Sequence, residues 1–253
     1  MNVLIVHSHP EPDSLNAGLK NIAIDTLQAQ GHHVEVSDLY AEGFDPVEGP
    51  QHYPHRQDPV YFSALTEQRS ASDHDRLPAD VKREISRLER ADLLIFQFPL
   101  WWHAQPAMLK GWFDRVFVYG GLYTGRQRYD QGHFRGRRAI CSVTTGAPQT
   151  AFGPGGRGGD IERLMWPIHY SLYYMGYDVL SPFLSHGIQG GGLSYQAEAS
   201  FRAHLERLKL DWSRRLTQLE EEKPLRFNGW SDWHQDGSAK FPVSPLHSGA
   251  VIS

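Results

Sequence analysis

Hydrophobic and polar positions along the chain alternate between short aliphatic runs and stretches of helical period. Residues 2–8 form a first run, and His33–Asp38 alternates as a second strand. Between them, from about residue 15 to 30, apolar residues recur at helical spacing, and Gly31 stands where a helix should end. This strand-helix-strand order predicts a βαβ unit of a parallel sheet.

The same alternation continues after a break. Asp92–Phe98 is a nearly continuous apolar run, typical of a central strand that is buried on both faces. Further strands are predicted at Ala139–Thr144 and Val179–Ser185, and further helices begin at Pro78 and Pro106 or span about 160–175 and 195–219. The chain is therefore predicted to be an α/β protein with five strands and five helices.

Two segments lack this periodicity. Residues 40–76 are rich in Pro, Asp, His and Gln and predict a long excursion from the fold. We expect one domain over residues 1–222 and an extended tail over 223–253. The tail carries Phe227, Trp230 and Trp233, which are costly to leave in water, so it should pack on the body or on another subunit.

Composition narrows the function classes. The 253 residues carry a net charge of −4, which disfavours nucleic acid as a partner. The single cysteine, Cys141, excludes an intrachain disulfide, and no apolar run approaches the ~20 residues of a membrane span. With a strand rather than a signal sequence at the start, a cytoplasmic protein is expected. No metal site is expected, because His52 and His55 lack further ligands at consistent spacing.

Three loops follow the predicted strands at the edge of the sheet where ligands bind. After the first strand, His9 is followed by Ser14, Leu15 and Asn16 at a helix start, which suits a phosphate. Alternatively, Ser14 only caps the helix and His9 is solvated.

The loop after the central strand reads Pro99, Leu100, Trp101, Trp102 and His103. Its aromatic faces suit a planar conjugated ring such as a flavin. Alternatively, the tryptophans pack into the core or an oligomer interface.

The third loop, Thr144-Thr145-Gly146-Ala147, offers hydroxyl and amide donors for the polar edge of a flavin. An ordinary Thr-rich turn is the alternative. Together the three loops favour flavin binding.

Several motifs in collinear order resemble the NAD(P)H:quinone oxidoreductase (DT-diaphorase-like) family over residues 2–225. They are Ser37–Ala41, Phe96–Leu100, Leu109–Phe113, Thr144–Gly146, Trp166–Ile168 and Pro224–Leu225. The resemblance implies a flavodoxin-like, doubly wound five-stranded parallel sheet of order 2-1-3-4-5 with helices on both faces. It also implies a homodimer, tightly held FAD rather than FMN, and two-electron ping-pong hydride transfer from NAD(P)H to quinones.

The resemblance also assigns roles to residues. His9, Ser14, Leu15 and Asn16 would hold the FAD phosphates, Pro99 to His103 would line the isoalloxazine, and Thr144 to Ala147 would bind its polar edge. Tyr123 would cover the acceptor pocket of the second subunit.

The chain departs from the family at two positions that stabilise charge on the flavin. Phe152 stands for a tyrosine at the cofactor, and Gly158 stands for a histidine. We hypothesise that Arg157 supplies a cation as a catalytic group instead. A flexible glycine loop with a solvated arginine is the alternative.

The expected function is that of an NAD(P)H dehydrogenase (quinone) acting on quinones or related flat acceptors. A flavodoxin-type electron carrier is disfavoured, because such chains are shorter and more acidic. The remaining alternative is a regulatory flavin-binding subunit of a potassium efflux system, with residues 40–76 and the tail making the contacts.

Overall fold

The computed structural model describes residues 1–190 and 196–241, which form one parallel sheet with helices on both faces. Six strands are seen within these residues: β1 (Asn2–His7), β2 (His33–Asp38), β3 (Leu93–Pro99), β4 (Arg138–Thr144), β5 (Asp178–Val179) and β6 (Phe183–Ser185). The order is β2-β1-β3-β4-β5, and β6 pairs with β4. The predicted fold class and strand order are confirmed.

The helices cover the two faces of the sheet because successive strand residues point in opposite directions. Six α-helices occur in the described residues: α1 (Leu15–Ala29), α2 (Ala64–Asp73), α3 (Ala79–Arg90), α4 (Ala107–Val116), α5 (Ile161–Tyr174) and α6 (Glu198–Leu216). Val3 and Ile5 pack with α1 and α6 residues, whereas Leu4 and Val6 pack with α3, α4 and α5 residues. Every residue of β3 is buried, as the apolar run predicted.

The fifth predicted strand is interrupted. Val179–Ser185 forms β5 and β6 separately, and both pair with β4. Pro182 lies in the gap, where it has no N–H to donate to a strand ladder. The prediction of one continuous strand was wrong in this detail.

Helix α2 lies within the segment 40–76, where no helix was predicted. Its buried face is polar: Glu67 accepts hydrogen bonds from Gln57 N and Asp58 N, at 2.7 and 3.2 Å. Gln68 donates to Asp114 O at 2.9 Å. Hydrophobic periodicity cannot reveal a helix that is held by buried polar side chains.

The described part of the tail packs on the body, one of the two predicted outcomes. Leu225 N donates to Val179 O at 2.7 Å, and the Phe227 ring stacks on Tyr173 with centroids 4.4 Å apart. Trp230 Nε1 donates to Arg128 O at 3.0 Å. The rest of the predicted tail, 242–253, lies outside the described residues.

Candidate active site

A cleft of about 730 Å³ opens at the carboxyl ends of β1, β3 and β4. It is lined by ten of the predicted residues: His9, Ser14, Leu15, Asn16, Pro99, Leu100, Trp101, Thr144, Thr145 and Gly146. The parallel register explains the convergence, since His7 pairs with Gln97 and Pro99 pairs with Thr144. Loops far apart in the sequence therefore reach one edge of the sheet.

Seven further lining residues were not predicted as site residues: Glu11, Asp13, Ile188, Gln189, Gly190, Phe201 and Leu205. Phe201 and Leu205 lie one turn apart on α6 and read as part of its core stripe. The apolar pattern of α6 does not show which of its residues line the cleft and which lie in the core. The position of α6 beside the cleft does.

The start of α1 forms one end of the cleft. Ser14 Oγ accepts a hydrogen bond from Ala17 N at 3.1 Å, so Ser14 does cap the helix. Leu15 and Asn16 are the first helical residues, whose N–H groups have no acceptor within a helix. Glu11 N donates to His9 Nδ1 at 3.0 Å, so the proton of a neutral His9 ring lies on Nε2. These groups suit an anion such as a phosphate.

A buried polar chain connects the start of α1 with the ends of β3 and β4. Gln97 Nε2 donates to Asn16 Oδ1 at 2.9 Å, and Asn16 Nδ2 donates to Thr144 Oγ1 at 2.9 Å. All three side chains are at most 5% exposed. The chain therefore fixes α1 to β3 and β4, and Gln97 is a site residue that the sequence reading missed.

The turn Thr144–Ala147, called here the braced turn, uses part of its hydrogen-bonding capacity internally. Thr145 N donates to Ser185 O at 2.8 Å, and Thr145 Oγ1 donates to Ala147 O at 3.0 Å. Among the described residues, the amides of Gly146 and Ala147 have no acceptor. The donors that this turn offers a ligand are thus backbone amides rather than the Thr145 hydroxyl.

The turn Trp101–Ala104, called here the aromatic turn, is closed by two hydrogen bonds between its end residues, each 3.0 Å. Trp102 and His103 have φ angles of 50° and 62°, in the left-handed region that glycine and asparagine favour. Trp102 is 96% exposed and Trp101 is 42% exposed. Core packing is therefore excluded for Trp102, whose indole lies in solvent next in sequence to the lining residue Trp101.

Several predicted residues do not line this cleft. Trp102, His103, Ala147 and Phe152 lie next to its lining residues in sequence but outside the lining. Arg157 is exposed on the loop 153–159. That loop is folded closely on Ala151, because a side chain at Gly156 would lie 2.4 Å from Ala151 O.

Tyr123 lies in a second cleft, of about 520 Å³, which has an aromatic wall. Its ring meets Tyr174 edge-on, with centroids 5.5 Å apart, and Phe113, Phe117 and Tyr170 also line this cleft. Burial raises the pKa of Tyr123 above its ordinary value. Within one chain, Tyr123 is separate from the first cleft.

The electrostatics of the first cleft are unusual for a phosphate site. Its described lining includes Glu11 and Asp13 but neither lysine nor arginine. Neutral donors at the start of α1 must therefore hold any anion there. Beneath the cleft, burial lowers the pKa of His7 to about 4, so this ring is neutral at neutral pH.

Comparison with known proteins places these features in a family. Residues 1–210 match the family model described as flavodoxin-like fold. NAD(P)H dehydrogenase [quinone] 1 of Cavia porcellus is 38% identical over 226 residues, which cover 88% of this chain and 79% of that protein. The crystal structure of a proposed quinone reductase from Klebsiella pneumoniae matches with a TM-score of 0.84 and 32% identity, covering 99% and 98% of the two chains.

A weaker match concerns the regulatory alternative. An ancillary protein of a glutathione-regulated potassium-efflux system from Enterobacter is 33% identical over 135 residues, covering 53% of this chain and 72% of that protein. Within the described residues, none of the helices combines the length and apolar character that crossing a membrane requires.

Proposed function

This chain belongs to the flavodoxin-like fold family and, within it, to the NAD(P)H quinone oxidoreductases, and from this premise we propose that its first cleft binds FAD. The observation that carries the proposal is the convergence of a helix start, an aromatic turn and free turn amides on one cleft. These groups match the phosphate, the flat ring and the polar ring edge of a flavin.

The far part of the cleft supports FAD over FMN. FMN ends at its phosphate, and the start of α1 accounts for that group. Phe201 and Leu205 of α6 add an apolar lining that FMN would leave uncovered and that suits an adenine ring.

The bound flavin supplies the two-electron chemistry between the nicotinamide and a quinone, and the protein supplies position and charge stabilisation. The Gly146 amide provides a donor where negative charge develops, and the buried chain Gln97–Asn16–Thr144 holds its turn rigid. The exposed Trp102 provides an apolar face for flat acceptors. An apolar face discriminates poorly between one flat acceptor and another. We propose ping-pong turnover, with donor and acceptor using this face in turn.

A second copy of the chain would complete this site. Tyr123 lines the second cleft rather than the first, so it can cover an acceptor only in the site of another subunit. Val60 and Tyr61, on the segment 40–76, are 91% and 71% exposed and offer apolar surface to a partner. We therefore propose a homodimer.

The regulatory role is less well supported, because the efflux-system protein matches only about half of this chain. A cytoplasmic location also remains a proposal. It is supported by composition, since the single, buried Cys141 is free.

Heat release of the cofactor from purified protein, followed by chromatography, tests the proposal directly. We expect FAD, and we expect NAD(P)H oxidation with a simple quinone to give parallel double-reciprocal lines. Leu205→Ala should weaken the binding of FAD more than the binding of FMN. Leu210→Ala, at an exposed position of the same helix, should leave both affinities unchanged. Protein without any flavin would refute the proposed function, and FMN alone would refute the assignment of the apolar end.

A further inference from the structure

The segment Ser185–Ile188, which begins at the end of β6, runs along the braced turn and is bonded to it at four points. Three bonds are between backbones: Thr145 N to Ser185 O at 2.8 Å, Gly187 N to Ala147 O at 2.9 Å, and Ile188 N to Thr145 O at 3.0 Å. The fourth involves a side chain, because His186 Nδ1 lies 2.9 Å from Thr145 Oγ1. His186 is thus the side-chain anchor of this segment.

The direction of the fourth bond follows from the proton count. The Thr145 hydroxyl has one proton, which it donates to Ala147 O. Both contacts are hydrogen bonds only if this oxygen also accepts from His186, which places the imidazole proton on Nδ1. Burial lowers the pKa of His186, which keeps the ring neutral near pH 7 and leaves Nε2 unprotonated.

Two other elements contact His186, one at its ring and one at its backbone carbonyl. The Phe152 ring packs on it with centroids 5.3 Å apart and planes tilted by 32°. His204 of α6 lies with Nε2 2.8 Å from His186 O. Phe152 is the residue that stands where the family has a tyrosine, so its position is used here to pack a histidine.

We propose that His186 is a positioning residue for the cofactor. By holding the Thr145 hydroxyl, it fixes the Gly146 amide toward the polar edge of the flavin. This role rests on the proposed function, and it compensates for the tyrosine and histidine that are Phe152 and Gly158 in this chain. Donors held in place stabilise developing negative charge without reorganisation.

The test compares three variants by the midpoint potential of the bound flavin, measured by equilibration with a reference dye. In His186→Leu, the preference of the protein for reduced over oxidised flavin should fall about tenfold. For a two-electron couple, this corresponds to a midpoint potential about 30 mV more negative. His186→Asn should restore most of this, because its Nδ2 can replace the Nδ1 donor. Thr145→Val should shift the potential by the same amount as His186→Leu. The double variant of Thr145→Val and His186→Leu should show no larger shift than either single variant.

The control is His133→Leu, which removes a half-buried histidine paired with Glu89 away from the cleft and should leave the potential unchanged. An unchanged potential in flavin-loaded His186→Leu would overturn the proposal. So would equal shifts in the Asn and Leu variants, because they would indicate packing alone.

A second measurement does not depend on flavin. Nitrogen NMR of the imidazole in the purified protein should show the proton of His186 on Nδ1, and Thr145→Val should release this preference. A proton on Nε2 in the unaltered protein would overturn the positioning role. Absence of flavin with the Nδ1 form present would instead refute the proposed function and leave the bracing intact.

Discussion

The braced turn and the aromatic turn end neighbouring strands and are joined by Leu100 N donating to Thr144 O at 2.9 Å, yet they are built in opposite ways. In the braced turn, Thr144 and Thr145 are buried and each takes part in a side-chain hydrogen bond. In the aromatic turn, two consecutive non-glycine residues have positive φ and one exposes almost its whole side chain. The braced turn is therefore a rigid wall of the cleft before any ligand binds. The aromatic turn is a strained wall with exposed apolar surface that a ligand can cover.

The largest effect is expected from breaking the buried chain behind the rigid wall. Asn16→Leu leaves the Gln97 amide and the Thr144 hydroxyl without their partner. Two buried polar groups at about 2 kcal/mol each predict a loss of about 4 kcal/mol in the free energy of unfolding, measured with denaturant. Asn21→Leu, on an exposed position of the same helix, should stay within about 0.5 kcal/mol of the unaltered protein. A similar small change for Asn16→Leu would show that the wall is not held by this chain.

A pH titration of stability probes the same buried end of the sheet. His7 ends β1 and is 2% exposed, and burial lowers its pKa from 6.5 to about 4. Between these values the unfolded chain binds the extra proton, so stability is fully present above pH 6.5 and falls as the pH drops toward 4. The shift corresponds to about 3 kcal/mol. His7→Gln should flatten this part of the profile, and an equally steep profile in that variant would assign the slope to other groups.

The smallest effect concerns the strained wall. Trp102→Gly removes the cost of the left-handed conformation, whereas Trp102→Ala keeps it. We expect the glycine variant to be more stable than the alanine variant by about 1 kcal/mol in denaturant unfolding. Both variants should raise the KM for a flat quinone, since both remove the exposed indole. Equal stability of the glycine and alanine variants would mean that the alanine variant leaves the left-handed conformation.

The contrast between the walls also explains what could be predicted from the sequence. The aromatic loop was found because tryptophan and histidine after a buried strand are unusual and local. Gln97 and His186 were missed as site residues because their roles depend on Asn16 and Thr145, which are 81 and 41 residues away. Such contacts leave no periodic signal in the sequence.

The same reason accounts for the errors in the fold. Strands β1 to β4 and five helices follow from apolar periodicity, and each was predicted close to its observed position. Helix α2 was missed because two of its three buried residues, Glu67 and Gln68, are polar where periodicity expects apolar residues. The proposed roles of Arg157 and Tyr123 stay predictions, because they depend on the bound ligand and on a second subunit.

The buried chain from Gln97 through Asn16 to Thr144 also sets the order in which this protein can mature. Asn16 and Thr144 are separated by 128 residues, so their bond forms only after more than half of the polypeptide has left the ribosome. Until then the Thr144 side of the cleft is missing, so on the proposed function a nascent chain cannot yet bind cofactor. In the folded protein, each tenfold rise in free cofactor concentration above Kd raises the free energy of unfolding by about 1.4 kcal/mol. Cofactor supply in the cell would thus govern how long each finished molecule survives proteolysis.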